Sequence, residues 1–288
     1  MMGVSYAKRG LRRRRLSIDD VLSPNAYWSN FAVFGGSEDE RIRVMVHGIY
    51  RNINRQAVIV LHDSVEFERA MMENYRPITR IDVSDHSFDP LFSVDRNDAI
   101  DTRNTLRNVV RRRGIAIARV PSGDAALQEM MASELLGLSH SGLPFLLVLF
   151  GIRQTGRDPL IQLMLGDHGE NYICAISGSS SSRTVSAENI SDMLQSYQEI
   201  LFLPTEDMQE AQRISNCFGT YMRSAAIPNE HSHGIWPFRR TSRGVSYQQT
   251  QTNNINPQAL RQYSLVCGTA FREPVLVKQI DLKRRYRA

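Results

Sequence analysis

Phosphoryl-transfer chemistry asks for a lysine at the β- and γ-phosphates and a hydroxyl for magnesium. It also asks for a carboxylate that holds the metal and positions water. Residues 34–42, Phe34-Gly35-Gly36-Ser37-Glu38-Asp39-Glu40-Arg41-Ile42, offer the right setting for the first two. A short apolar run meets a glycine pair, and a helical pattern follows. In such a turn, backbone N–H groups and a helix N-terminus can cradle a phosphate. The lysine is missing, however. Glu38, Asp39 and Glu40 stand where the triphosphate would lie, and three carboxylates would repel it. Gly35, Gly36 and Ser37 thus mark a degenerate phosphate-loop position. The bland alternative is a glycine turn capped by acids, which the positive end of a helix favours by itself.

The carboxylate is expected at the end of a buried strand, and the apolar run 143–149 is the candidate. It ends in Phe150-Gly151, with no acid. Asp63, which ends the run Ala57-Val58-Ile59-Val60-Leu61, is a candidate substitute acid. It also reads as a capping or turn residue. His231 and His233 have the spacing of weak metal ligands without nearby acids or cysteines, so a surface loop is the plainer reading. Cys174, Cys217 and Cys267 are scattered and odd in number, which suits neither zinc nor a disulfide framework. No nucleophile–base pair stands out, and no metal site is expected.

The elements that must position these residues alternate. Apolar runs at 31–34, 57–61, 114–120, 143–149, 172–176, 200–203, 263–267 and 275–280 read as strands, with a further candidate at 80–83. Periodic apolar spacing predicts helices over 38–52, 65–75, 102–112, 124–138, 190–197 and 207–218. Ser122 is a candidate cap for the fourth of these. Acids crowd the start of the last, and Gly219 is a natural C-cap. Arg111, Arg112 and Arg113 close a helix where cations suit the dipole. Continuous apolar runs, rather than alternating ones, mark strands buried on both faces. Strand–helix alternation therefore predicts an α/β fold, a mainly parallel sheet with helices on both faces. Residues 223–256 are polar and read as a loop-rich stretch containing Arg239, Arg240 and Arg243.

Composition agrees. Hydrophobic residues make up 42% and charged residues 23% of 288, which is ordinary globular usage. The longest apolar stretch, residues 143–152, is too short to span a bilayer, and the basic start leads into no apolar signal region. The net charge of +5 comes from the ends. Lys8, Arg9, Arg12, Arg13, Arg14 and Arg15 lie in one tail, and Lys283, Arg284, Arg285 and Arg287 close the chain. Taking those ten from 35 leaves 25 basic residues against 30 acidic ones, so the body is slightly acidic. Residues 1–20 read as a basic, disordered tail. It could bind nucleic acid or an anionic surface, or be simply solvated. Residues 21–288 read as a single domain.

The order of segments resembles that of the type IV secretion and conjugative coupling proteins, which belong with the FtsK- and HerA-type translocases. Residues 31–52 sit where that family's phosphate loop lies. AVIVLHDSVE, residues 57–66, is similar to its next strand, which ends in an aspartate. Phe88-Asp89-Pro90-Leu91 resembles an asparagine-proline-leucine element, and residues 143–149 stand at the magnesium-site strand. The closest parts are residues 189–219 and 263–286, which resemble the family's later helix–strand–helix and terminal strands.

This resemblance implies a RecA-like P-loop NTPase fold, an oligomer, and DNA or a secretion substrate as cargo. With the catalytic lysine, hydroxyl and acids unmatched, it implies a pseudo-ATPase rather than an enzyme, without ATP or magnesium as a working cofactor. The expected role is a structural or interaction subunit in DNA transfer or type IV-like secretion. Its partners would be further copies, an intact ATPase or secretion components, with DNA reached through the tail. The expected place is the cytoplasm, peripheral to a membrane-bound secretion complex. Two alternatives stay open: an active ATPase with unorthodox ligands, and a nucleic-acid-binding accessory protein working through its tail.

Overall fold

The computed structural model describes residues 16–17, 30–75, 77–81, 96–121, 124–152, 163, 172–178, 197–233, 240–268, 274–278 and 280–281. Phe31–Phe34 (β2), Ala57–His62 (β3), Ile78–Ile81 (β4), Ile115–Arg119 (β5), Phe145–Phe150 (β6), Tyr172–Gly178 (β7) and Glu199–Phe202 (β8) pair in parallel. Ser264–Gly268 (β11) and Val275–Val277 (β12) continue the sheet antiparallel at one edge. The nine strands run in the order β12-β11-β8-β2-β7-β6-β3-β5-β4.

The apolar runs become the centre of this sheet because both faces are covered. Every residue of β3 and β6 is buried. Their side chains alternate between two cores with period two, as pleating requires. Ala57, Ile59, Leu61, Phe145, Leu147 and Leu149 join one core. Val58, Val60, Leu146, Val148 and Phe150 join the other. Glu38–Asn52 (α1) and Val65–Asn74 (α2) cover the second face through Ile42, Met45, Ile49, Phe67 and Met71. Arg96–Arg111 (α3), Ala125–Ser139 (α4) and Met208–Cys217 (α5) cover the first through Leu106, Leu127, Met131, Leu135 and Ile214. Each such apolar side chain contributes roughly 1.5–3 kcal/mol when removed from water.

Caps follow the residue types. Ser37 caps α1 in a capping box with Glu40. Ser64 caps α2, Asp207 caps α5, and Asp124 accepts from the Leu127 N–H at the start of α4, so that cap is Asp124. Gly219 follows α5 at φ +72, the left-handed conformation that glycine tolerates best.

Two readings are corrected. The described residues of 223–256 are not loop-rich: Thr220–His233 (β9) and Arg240–Asn253 (β10) form an antiparallel hairpin, followed by the short helix Pro257–Leu260 (α6). The polar residues of this stretch give no apolar alternation, so the cross-strand pairing that makes it a ladder leaves no local signal. Residues 16–17, placed in the tail from sequence, are also paired: Leu16–Ser17 (β1) lies parallel to Ile280–Asp281 (β13). The tail residues Lys8, Arg9, Arg12, Arg13, Arg14 and Arg15, the Phe88-Asp89-Pro90-Leu91 element, Ser122, Arg239, the closing basic residues and most of the helix expected over 190–197 lie outside the described residues.

Candidate functional site

Only Gly35, Gly36 and Ser37 connect β2 to α1. A working phosphate loop places several residues, a lysine and a hydroxyl there. Three residues cannot wrap a phosphate. The turn is also filled from within. Arg41 lies one helical turn after Ser37 and is 7% exposed. Its guanidinium donates to the carbonyl oxygens of Gly35 at 3.0 Å and Gly36 at 2.8 Å. The loop therefore turns its carbonyls toward a cation, where a phosphate cradle would turn N–H groups toward an anion.

The helix N-terminus is occupied as well. The Ser37 N–H donates to Glu40 Oε2 at 2.9 Å, and the Glu40 N–H donates to Ser37 Oγ at 3.2 Å. A carboxylate of the chain itself takes the position a phosphate would use. Glu38 accepts from the Ser64 hydroxyl, which ties this turn to the start of α2. Burial pulls the Arg41 guanidinium below its ordinary range, while the carboxylates of Glu38, Glu210 and Glu40 oppose that shift. Arg41 remains a cation, as arginine does throughout the accessible pH range. Glu210, itself buried, accepts from the Thr205 hydroxyl. The buried Arg41 thus carries its charge near the buried Glu210 and the more exposed Glu38 and Glu40.

Neighbouring backbone closes the space above. The Leu203 N–H donates to the Phe34 carbonyl at 2.8 Å. A Cβ on Gly35 would lie 2.6 Å from the Leu203 carbonyl oxygen, and Gly35 has φ +73. Gly35→Ala should therefore lower stability by about 1–3 kcal/mol. Gly151 has φ +70, but a Cβ there meets nothing within 4 Å. Gly151→Ala should cost clearly less, and urea midpoints of the two variants check the contrast. Equal losses would mean that the Leu203 contact does not matter.

The second half of the site lies at the ends of β3 and β6. The chain leaves β6 for β7 on one side and β3 for β4 on the other, so their carboxyl ends form the switch point where open α/β sheets bind ligands. His62 is in register with Phe150, and the Asp63 N–H donates to the Phe150 carbonyl at 3.1 Å. Asp63 is thus brought beside Phe150 and Gly151. The β2 turn lies farther along the sheet, with β7 and β6 between β2 and β3.

At the end of β6, where the sequence reading expected an acid, Phe150 is 1% exposed and stacks on Phe67, ring centroids 4.1 Å apart at 8°. Phe67 also meets His62 edge-on, centroids 6.2 Å apart. Burial lowers the His62 pKa and favours the neutral ring, whose Nδ1 accepts from the Ser64 N–H. Beside them, at the end of β7, the Ser177 hydroxyl is buried with no hydrogen-bond partner among the described residues. Among the described residues, no group of three or more His, Cys, Asp or Glu is placed to hold a metal ion.

Sequence reasoning located Gly35, Gly36, Ser37, Phe150, Gly151 and Asp63 but missed Arg41, Leu203, Phe67 and Ser177. Arg41 looks like an ordinary solvated helix position. Only its distance from the turn carbonyls reveals it. The stacking of Phe67 on Phe150 joins two segments far apart in the chain.

The sequence matches no protein-family model and no curated protein. Among solved structures, the chain is similar to the bacterial conjugative coupling protein TrwBΔN70 in two crystal forms. The unbound monoclinic form aligns with a TM-score of 0.52 at 7% identity, covering 90% of this chain and 86% of that one. The trigonal form in complex with sulphate aligns at 0.52 and 8% identity, covering 96% and 91%. VirB4 of Thermoanaerobacter pseudethanolicus aligns at 0.47 and 7% identity, covering 87% and 89%. At such identities likeness speaks for the fold, and the two coupling-protein alignments carry it together with the parallel sheet order. The chain has an α/β fold, a mainly parallel nine-stranded sheet with helices on both faces, and in that fold it resembles a conjugative coupling protein.

Proposed function

We propose that this chain is a pseudo-ATPase: a motor fold kept for assembly, acting as a structural or interaction subunit in DNA transfer or type IV-like secretion. The observation that carries this reading is the closed β2–α1 turn. Its carbonyls hold Arg41, its helix N-terminus holds Glu40, and its glycines lie against Leu203. A triphosphate entering here would have to displace a bonded carboxylate and meet Glu38 and Asp39. The apolar Phe150–Phe67 stack supports the same reading at the metal position.

Partners would be further copies, an intact ATPase or secretion components. Among the described residues no helix is long and apolar enough to cross a membrane. A cytoplasmic place, peripheral to a membrane-bound complex, is part of this proposal.

A thermal-shift titration with ATP and magnesium tests it. A ligand present at a hundred times its Kd adds about 2.7 kcal/mol of stability, which shifts the melting temperature of a domain this size by several degrees. The expected result is no shift at millimolar ATP and no magnesium-dependent hydrolysis. Hydrolysis that disappears in Asp63→Asn would overturn the proposal in favour of an active ATPase with unorthodox ligands.

A further inference from the structure

The segment that leaves the β9–β10 hairpin is bonded to both ends of α5. Beyond Cys217, the Asn254 N–H donates to the Gly219 carbonyl at 3.0 Å, and Asn254 Nδ2 donates to the Phe218 carbonyl at 2.7 Å. Ser215, 0% exposed, holds the same root from inside the helix. Its hydroxyl donates to the Ile255 carbonyl and accepts from Asn253 Nδ2 at 2.7 Å. Before the start of α5, the Thr205 N–H donates at 3.1 Å to the carbonyl of Leu260, which ends α6. The Thr205 hydroxyl donates in turn to Glu210. Residues 253–260 thus return from the hairpin root to the opening of α5.

The β2–α1 turn rests on that same opening. The Leu203 N–H donates to the Phe34 carbonyl, and Leu203 lies against Gly35 and Gly36. Thr205 follows two residues later. Arg41, which holds the carbonyls of the turn, is attracted by the Glu210 carboxylate. Turn and helix start are therefore joined twice, by backbone packing at Leu203 and by charge at Glu210.

Between its two attachments α5 has the build of a rod. Met208–Cys217 is ten residues, about 15 Å long. Its buried residues are Glu210, Ala211, Ile214 and Ser215. The two polar ones serve opposite ends, Glu210 the turn and Ser215 the hairpin root, while Ala211 and Ile214 between them pack in the core. Hydrogen bonds weaken steeply once their angles are lost, and a buried polar group without a partner is penalised. A tilt of α5 at either end is therefore opposed at the other.

We propose that α5 couples the β2–α1 turn to the root of the β9–β10 hairpin, so that loosening either one loosens the other. The two states are a root bonded to Ser215, Phe218 and Gly219 and a root released from them. Glu210 and Ser215 are the positioning residues, one at each end. This inference goes beyond the pseudo-ATPase reading and stands apart from it, because it concerns bonds within the chain and holds whatever the turn binds.

Native-state hydrogen–deuterium exchange on the full chain, without nucleotide, tests the proposal. Two variants act at the start of α5. Glu210→Gln removes the charge that Arg41 meets and keeps an acceptor for Thr205, and Thr205→Val removes the hydroxyl. Ser215→Ala acts at the other end. Circular dichroism selects the variants that fold, and either start variant suffices. A start variant should speed exchange across β9 and β10 about fivefold or more, and Ser215→Ala should speed exchange in the first turn of α1 by a similar factor, because coupling between two sites is reciprocal. Amides of β3 and β5, farther along the sheet, should exchange as in the wild type. Combining Glu210→Gln with Ser215→Ala should add little at the hairpin beyond the larger single effect. Hairpin exchange unchanged by the start variants overturns the proposal, as does an effect that runs one way only. A rise shared equally by β3 and β5 also overturns it, since that is general destabilisation, and strictly additive effects would assign the two ends to separate local roles.

Discussion

Phe150→Asp should unfold the domain rather than create a metal site. Phe150 is buried between β6 and α2, stacked on Phe67, with Val148 and Met71 in the same core. Removing the ring alone, as in Phe150→Ala, should cost about 3–5 kcal/mol through lost transfer energy and the cavity left behind. The aspartate adds the burial of a carboxylate in an apolar core. That addition takes the total to roughly 5 kcal/mol or more, comparable with the whole stability of many domains. Phe150→Leu keeps most of the volume and should lose far less. Urea denaturation with and without magnesium checks all three. A folded Phe150→Asp variant that magnesium stabilises would show that the position is a metal site in waiting.

Arg41→Met should be the most damaging single change at the β2–α1 turn. The substitution keeps much of the side-chain length and removes the charge. It strands the carbonyls of Gly35 and Gly36, and it leaves Glu38, Glu40 and the buried Glu210 without their cation. Removing one partner of a buried charge pair costs at most about 3–5 kcal/mol, and here only Glu210 among the carboxylates is buried. Arg41→Lys keeps the charge but not the planar fork that reaches two carbonyls at once, so it should recover only part of the loss. If the penalty comes from stranded carboxylates, adding Glu210→Gln to Arg41→Met should return some stability. A double-mutant cycle by chemical denaturation measures that coupling. Strict additivity would mean that Arg41 acts on the loop carbonyls alone.

These two positions bracket what could be read without coordinates. The strands were legible because Ala57-Val58-Ile59-Val60-Leu61 and Phe145-Leu146-Leu147-Val148-Leu149 are unbroken apolar runs. α1 and α5 were legible because acids crowd their starts and apolar residues recur at helical spacing. The lack of a lysine in residues 34–42 was legible too, as a fact of composition at one place. The hairpin was not legible. Thr, Ser, Gln and Asn side chains leave no periodic mark, and its pairing joins Thr220 to Asn253 across 33 positions.

The sequence by itself determined the alternation of elements, the two-faced burial of the central strands, and the carboxylates at Glu38, Asp39 and Glu40. These are local properties of residue type and period. Only the tertiary structure decided what packs around the β2–α1 turn and the end of β6. Arg41 reaches back to the glycine carbonyls because a helical turn folds it under the loop. Leu203 packs on the glycines because β8 pairs beside β2, and Phe67 meets Phe150 because α2 crosses the end of β6. Each contact joins residues that the chain separates and the sheet brings together. Which group occupies a pocket is therefore set by strand order, which no run of neighbouring residues records.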